Sequence, residues 1–365
     1  MLKCNGSILY KLRGLNMTFF QAILLKCLIA IKEERTVYSI YHILKGKKSS
    51  QSIQDSHLYG LRSYFQLFPM IERKEFDQTM QEMNDLALVE KTSEIHFRAT
   101  SSGIEALEQY SNLLSEDSHV DGNLQDSMLV FWKRLTLLIQ VMSHLIRRES
   151  HYYPIQRERE LLQWIKLFLK RNRNSREKIA YHTYEELKNL LNKQTFENPM
   201  VFILRLTGQG RIGLTMKQAA AQLQLEETEY YFRFMNVLHY FMKEILASPQ
   251  EYPILASLIE DSIQPLPMTA STIETYYLLK QNHSIMDISA MRRLQPSTIE
   301  DHIIEIAIND PNFLIEPFVS RDESDHILMA AKQNGGLKLK PIKEAVPDAS
   351  YFQIRLVLAK CGGNR

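Results

Sequence analysis

The stretch Thr269–Pro311, TASTIETYYLLKQNHSIMDISAMRRLQPSTIEDHIIEIAINDP, decides how the chain is read. It carries the start signals of three short helices in series. Ser271 followed by Glu274 has capping-box spacing, in which the hydroxyl accepts from an orphan amide and the carboxylate reaches back to the cap. Asn282 suits the left-handed residue that ends a helix. Ser284 with Asp287 repeats the box, and Pro296 fits the first position of a third helix. Helix, short turn, helix is the pattern whose last member normally lies in a DNA groove.

The charges of that last helix do not suit a groove. From Pro296 to Ile308 it offers Ile299, Ile303 and Ile306 to a core and carries Glu300, Asp301 and Glu305, with no Lys or Arg. Phosphate neutralisation supplies most non-specific DNA affinity. Only the first turn, with Gln295, Ser297 and Thr298, has donors for phosphates or base edges, and Arg292 and Arg293 precede it. The tail is basic instead: Lys332, Lys338, Lys340, Lys343, Arg355, Lys360 and Arg365 oppose Glu344 and Asp348. His302 has apolar neighbours and no second residue at metal-ligand spacing, so it reads as a packed residue.

A chain of 365 residues, 45% hydrophobic, is expected to form two or three globular domains. The net charge of +2 is uninformative, since local clusters set nucleic-acid affinity. Cys4, Cys27 and Cys361 permit neither a disulfide framework nor a zinc spacing, which favours a reducing cytoplasm. Leu15–Ile31 is too short and too polar to span a bilayer and reads as a buried first helix. Residues 1–16 lack a signal-peptide pattern and read as an extension upstream of a natural start at Met17.

The segment 17–115 ends in a helical pattern (Phe76, Met80, Met83, Leu86), two short alternating runs around Lys91–Glu94, and a helix opening after Thr100. That order suits a winged-helix-like domain, although any small α+β unit shares it. The loop Leu44–Ser50 gathers Lys45, Lys47 and Lys48 beside Gly46, either as phosphate contacts or as a solvated loop. The upstream glycine of a nucleotide-binding loop is missing.

The segment 116–262 reads as a helical middle domain. Two long amphipathic helices hold Trp132 and Trp164 as core residues. The second leads into KRNRNSREK, where Arg171 and Arg173 are candidate phosphate contacts; cations there would also complement a helix C-terminus. Gly208, Gly210 and Gly213 satisfy G-x-G-x-x-G, but no second strand follows, so a dinucleotide site is excluded. LTMKQAAAQLQLEETEYYFRFM is again helix, turn at Gln224–Leu225, helix.

The last segment, 268–365, resembles the helix-turn-helix module at the C-terminus of RecQ-type helicases. The likeness rests on Thr269 and Thr272; Ser284, Ile285, Asp287 and Ile288; Arg292, Leu294, Ser297–Glu300, His302 and Ile303; Leu339–Glu344; and Ser350, Tyr351 and Ile354–Val357. The whole chain resembles bacterial YpbB-type proteins, which are encoded alongside such a helicase. The resemblance implies a mainly α fold and a non-enzymatic adaptor in DNA repair or recombination, with DNA and a RecQ-type helicase as partners. It implies neither a cofactor nor a small-molecule substrate nor a membrane. Two departures stand out: Ser289 replaces an alanine, and Arg293 replaces the glycine of the turn. Glu300, Asp301 and Glu305 are then candidates for a docking face, leaving two alternatives open: weak DNA binding, or protein docking without DNA.

Overall fold

The computed structural model describes residues 17–115, 118–149, 151–172, 176–263, 268–334 and 337–361. Apolar residues at helical spacing produce a mainly α chain, and its one sheet among the described residues is a two-stranded hairpin. The contact pattern forms two compact units where the sequence suggested three consecutive segments. One unit pairs the two ends of the chain, Gln21–Glu108 with Gln264–Arg365; the other is Gln109–Ile263 with the described residues up to Phe20. They are called the terminal and central units.

The N-terminal part contains α1 (Phe19–Ile31), α2 (Val37–Lys45), α3 (Ser50–Leu58), α4 (Arg73–Asp85), the strands β1 (Val89–Ser93) and β2 (His96–Ala99), and α5 (Ser101–Leu107). The helix–hairpin–helix order is the one expected from the sequence, an order that any small α+β unit shares. β1 and β2 pair antiparallel from Val89–Ala99 to Ser93–His96, so the turn is tighter than the polar run suggested. Thr100 caps α5 by accepting from the Gly103 N–H (3.0 Å).

The central unit holds α6 (Gln125–Ile146), α7 (Arg159–Arg171), α8 (Arg176–Lys193), α9 (Met200–Ile203), α10 (Met216–Leu223), α11 (Glu227–Ala247) and α12 (Pro253–Ser257). Helix α6 packs against α7, α8 and α11. The span Gly122–Ile146 is apolar and long enough to cross a membrane by composition, yet 56% of its most apolar window is buried inside the protein. Val201, Phe202 and Ile203 belong to the short helix α9 and Leu204 and Arg205 to a turn, so no strand leads into the glycine motif. The glycine motif is a turn: Gly208 and Arg211 exchange backbone hydrogen bonds (2.9 and 3.1 Å). Gly210 has φ 77°, and a Cβ on Gly213 would lie 2.4 Å from the Arg205 carbonyl oxygen. Both glycines therefore answer to backbone geometry, not to a pyrophosphate.

The C-terminal part adds α13 (Ala270–Lys280), α14 (Ile285–Arg292), α15 (Pro296–Asn309), α16 (Arg321–Gln333), α17 (Leu339–Ala345) and α18 (Tyr351–Cys361). Ile306 of α15 joins Met268 and Tyr276 in a cluster flanked by Ile273, Leu279 and Phe313. Helix α15 packs against α13, α14 and α18, and also against α3 from the other end of the chain. The ends are tied by polar contacts as well. Arg355 Nε donates to Gln54 Oε1 (3.0 Å), Arg62 Nη2 donates to Asn309 Oδ1 (2.9 Å), and the Leu337 N–H donates to Glu34 Oε2 (2.8 Å).

Candidate nucleic-acid interface

Helices α14 and α15 meet as expected from their start signals. Ser284 accepts from the Asp287 N–H while Asp287 Oδ2 accepts from the Ser284 N–H (3.0 Å), a complete capping box. The Ser284 hydroxyl, which donates to Asp287 Oδ2 (2.6 Å), and then the Ser284 N–H hold the Asp287 carboxyl below its ordinary range. Asn282 is left-handed (φ 65°), and Pro296 opens α15. Helix α13 differs from expectation: Thr269 is its cap, accepting from the Thr272 N–H, because the helix already begins at Ala270.

Ser271 and Glu274 do other work. They hold Arg292, whose guanidinium donates to Ser271 O (2.7 Å), Ser271 Oγ (3.0 Å), Glu274 Oε2 (2.8 Å) and Thr275 Oγ1. With its side chain 12% exposed, Arg292 braces α14 against α13 and is not available as the DNA contact proposed from sequence. His302 lies beside it, sharing a hydrogen bond with Thr275 Oγ1 (2.8 Å). Burial, and then Arg292, lower its imidazole pKa.

Arg293 keeps the turn that glycine normally makes, with φ 53° and ψ 41°. The left-handed conformation costs an L-residue about 1 kcal/mol. The second departure offsets it. Ser289 Oγ donates to the Leu294 carbonyl (2.6 Å), while the Leu294 N–H donates to the Ser289 carbonyl (3.1 Å), so one residue clamps the turn from both sides. Ser289→Ala is expected to destabilise by about 1 kcal/mol, and Arg293→Gly to stabilise by about 0.5–1 kcal/mol. Urea midpoints of the two single variants check both signs.

The central unit repeats this geometry. Thr215 and Gln218 form a capping box, α10 has eight residues like α14, and Gln224 is left-handed (φ 56°, ψ 38°). The following helix starts at Glu226 and Glu227, as α15 starts at Gln295 and Pro296. In both cases the last helix is largely core: α11 buries Tyr230, Phe232, Phe234 and eight further residues, and α15 buries Ile299, His302 to Ile308.

The acidic residues of α15 do not form an open docking face. Glu305 is 4% exposed, and its carboxylate accepts from the Thr269 N–H (2.6 Å), Thr269 Oγ1 (3.2 Å) and Thr272 Oγ1 (2.6 Å). Asp301 pairs with Arg355 of α18 at 2.7 Å. Glu300 is half-buried, and burial raises its carboxyl pKa. Gln295 and Ser297 are exposed at the first turn with Arg293, while Thr298 is half-buried.

Among the remaining candidate cations, Lys45 and Lys343 are held by named acceptors. Lys45 Nζ donates to Tyr41 Oη (3.1 Å) and Ile71 O (3.2 Å), and Lys343 Nζ to Pro347 O (2.6 Å) and Ala349 O (2.7 Å). Lys47 and Lys48 are exposed, and Lys47 lines an open cleft of about 400 Å³ with Arg35, His42, Ser49 and His96. Lys338, Lys340 and Arg171 are exposed, and Arg173 lies outside the described residues.

The fold and the turn geometry define a helix-turn-helix protein, and a family model described as a helix-turn-helix domain matches residues 271–358. The chain is 32% identical over 350 residues to protein YpbB of Bacillus subtilis (strain 168), covering 95% of this chain and 98% of that protein. It therefore belongs to the YpbB family. No solved structure matches it.

Proposed function

We propose that the chain is a non-enzymatic DNA-associated adaptor that touches DNA through phosphate contacts rather than by groove reading. The observation that carries this is the position of α15. It packs against α3, α13, α14 and α18, and leaves its first turn exposed beside Arg293. A helix enclosed on that many sides cannot lie along a major groove, but its N-terminal amides and the adjoining Arg293 suit phosphates. Arg293, Lys338 and Lys340 are the proposed contacts. A RecQ-type helicase is the proposed partner on the strength of the module's resemblance, with repair or recombination as the setting.

A second reading, docking without DNA, draws support from Met286 and Met291 on α14 and Tyr277 on α13, which are 66%, 55% and 62% exposed. Exposed methionines and an aromatic ring on a polar domain suit protein contact. Anisotropy with labelled duplex and forked DNA across a salt series, beside a pull-down with a RecQ-type helicase, separates the two. Three phosphate contacts predict a log–log salt slope of about −3 that falls to about −1 in K338A/K340A. Salt-insensitive helicase binding with no DNA shift would leave the docking reading alone.

A further inference from the structure

We infer that the exposed face of α8 in the central unit, together with the basic end of α7, is a binding surface for single-stranded nucleic acid. The eighteen residues Leu161–Lys178 contain six Lys or Arg and one carboxylate, Glu177. Helix α7 buries Leu161 and Ile165 and turns Lys166, Lys170 and Arg171 to solvent. The sequence suggested that the basic run ends one helix, where cations complement the dipole. The structure places Arg176 and Lys178 instead in the first turn of α8.

That placement removes the structural explanation for this pair. At a helix N-terminus the dipole already favours anions, so cations there gain nothing from it. Arg176 and Lys178 are exposed and take part in no ion pair among the described residues. Their charge and the dipole add to one positive field, which suits phosphate. Arg171 lies five residues before Arg176, so no more than about 18 Å of chain separates these two cations.

The second observation concerns aromatic rings on the same helix. Helix α8 buries Ile179, Thr183, Glu186, Leu187 and Leu190, and on the opposite side exposes Tyr181 (61%) and Tyr184 (60%). Large rings usually bury, and two exposed ones three residues apart form neighbouring platforms. Lys188, one turn on, lies 5.7 Å from the Tyr184 ring centroid and pairs with Glu185. From Arg176 to Lys188 the strip is about 18 Å long.

Cations that track a backbone and rings that stack bases are the two components of sequence-tolerant single-strand binding. A duplex keeps its bases stacked on one another and leaves such rings unused. The partner is therefore an unpaired strand, DNA or RNA. This surface is independent of Arg293, Lys338 and Lys340, so its test stands apart from that of the helix-turn-helix reading.

The experiment uses the full chain with labelled oligo(dT), oligo(U) and duplex DNA in an anisotropy titration. Wild type is expected to bind the single strands in preference to the duplex. Y181A/Y184A should weaken oligo(dT) binding by about tenfold or more, since stacking is worth about 1–3 kcal/mol per base. R176A/K178A should lower the magnitude of the salt slope by about 1.4, the single-strand value for two phosphates. The losses caused by Y181A/Y184A should persist in a K338A/K340A background, because stacking on α8 does not depend on those two lysines. All four positions of the first two variants are exposed, so unchanged thermal unfolding confirms that the fold persists. Equal binding of duplex and single strand with no effect of Y181A/Y184A would overturn the inference, and so would the absence of any oligonucleotide shift. Better binding of oligo(dT) than oligo(U), or the reverse, tells which strand the surface prefers.

Discussion

Glu305→Ala is expected to destabilise the terminal unit by about 4 kcal/mol, as read from the urea midpoint at neutral pH. The carboxylate closes the N-terminus of α13 from outside that helix. It accepts from the Thr269 amide and from the hydroxyls of both Thr269 and Thr272, at a site nearly closed to solvent. Removing it leaves the Thr269 N–H and the Thr272 hydroxyl without an acceptor in a place where water does not replace it, while the Thr269 hydroxyl keeps Thr272 Oγ1 (2.9 Å). Thr269 would then cap α13 through its own hydroxyl alone. Glu305→Gln retains one oxygen acceptor and should lose about half as much. A carboxylate serving only as an exposed docking group would instead give changes within about 0.5 kcal/mol for both variants. The size of the loss therefore distinguishes internal cap from docking residue.

The same residue shows where the sequence was readable and where it was not. The mainly α class, the two-stranded hairpin, the Ser284–Asp287 box and the left-handed Asn282 all depend on signals a few residues apart, and all were legible. The Ser320–Glu323 box of α16 is equally local, since Ser320 accepts from the Glu323 amide and Glu323 returns the contact. Glu305 lies 36 residues from the threonine it caps. No local pattern distinguishes its carboxylate from a solvated one, so it read as part of an acidic face. Ser271 and Glu274 misled in the opposite direction: their spacing is that of a box, but Arg292, 21 residues from Ser271, claims them. The Thr-x-x-Thr pattern at Thr269 and Thr272 was noticed only as a resemblance, and it is the pair that meets Glu305.

The candidate interface followed the same division. Lys45, Lys343 and Arg292 read as open cations, yet each finds backbone or side-chain acceptors that only the folded chain brings near. Arg176 and Lys178 were seen in sequence, but assigned to the end of one helix instead of the beginning of the next. The missing sign was the apolar spacing Ile179, Thr183, Leu187, Leu190, which marks a new helix and turns Tyr181 and Tyr184 outward. The joining of the two chain ends was invisible, because nothing in α3 announces that it will cover α15.

Ile304→Lys tests that cover and should have the largest effect, destabilising the terminal unit by about 5 kcal/mol or more. Ile304 and Ile306 are separated by about 200° around the helix, so they face opposite sides of α15. Ile306 joins the cluster with Met268 and Tyr276, the side on which a helix-turn-helix domain normally keeps its core. Ile304 lies on the side a groove-reading helix would present to DNA, one turn from Glu300 and near Asp301, which Arg355 holds. It is nonetheless 1% exposed. On an open DNA-reading face, a lysine at this position would leave stability nearly unchanged and raise DNA affinity by adding a phosphate contact. On a face closed by α3 and α18 it buries an ammonium without a partner. Far-ultraviolet circular dichroism in urea, followed by DNA anisotropy on whatever remains folded, decides between the two. Loss of the terminal unit's transition at low urea is the expected result. A stable variant with tighter DNA binding would return α15 to the role of recognition helix.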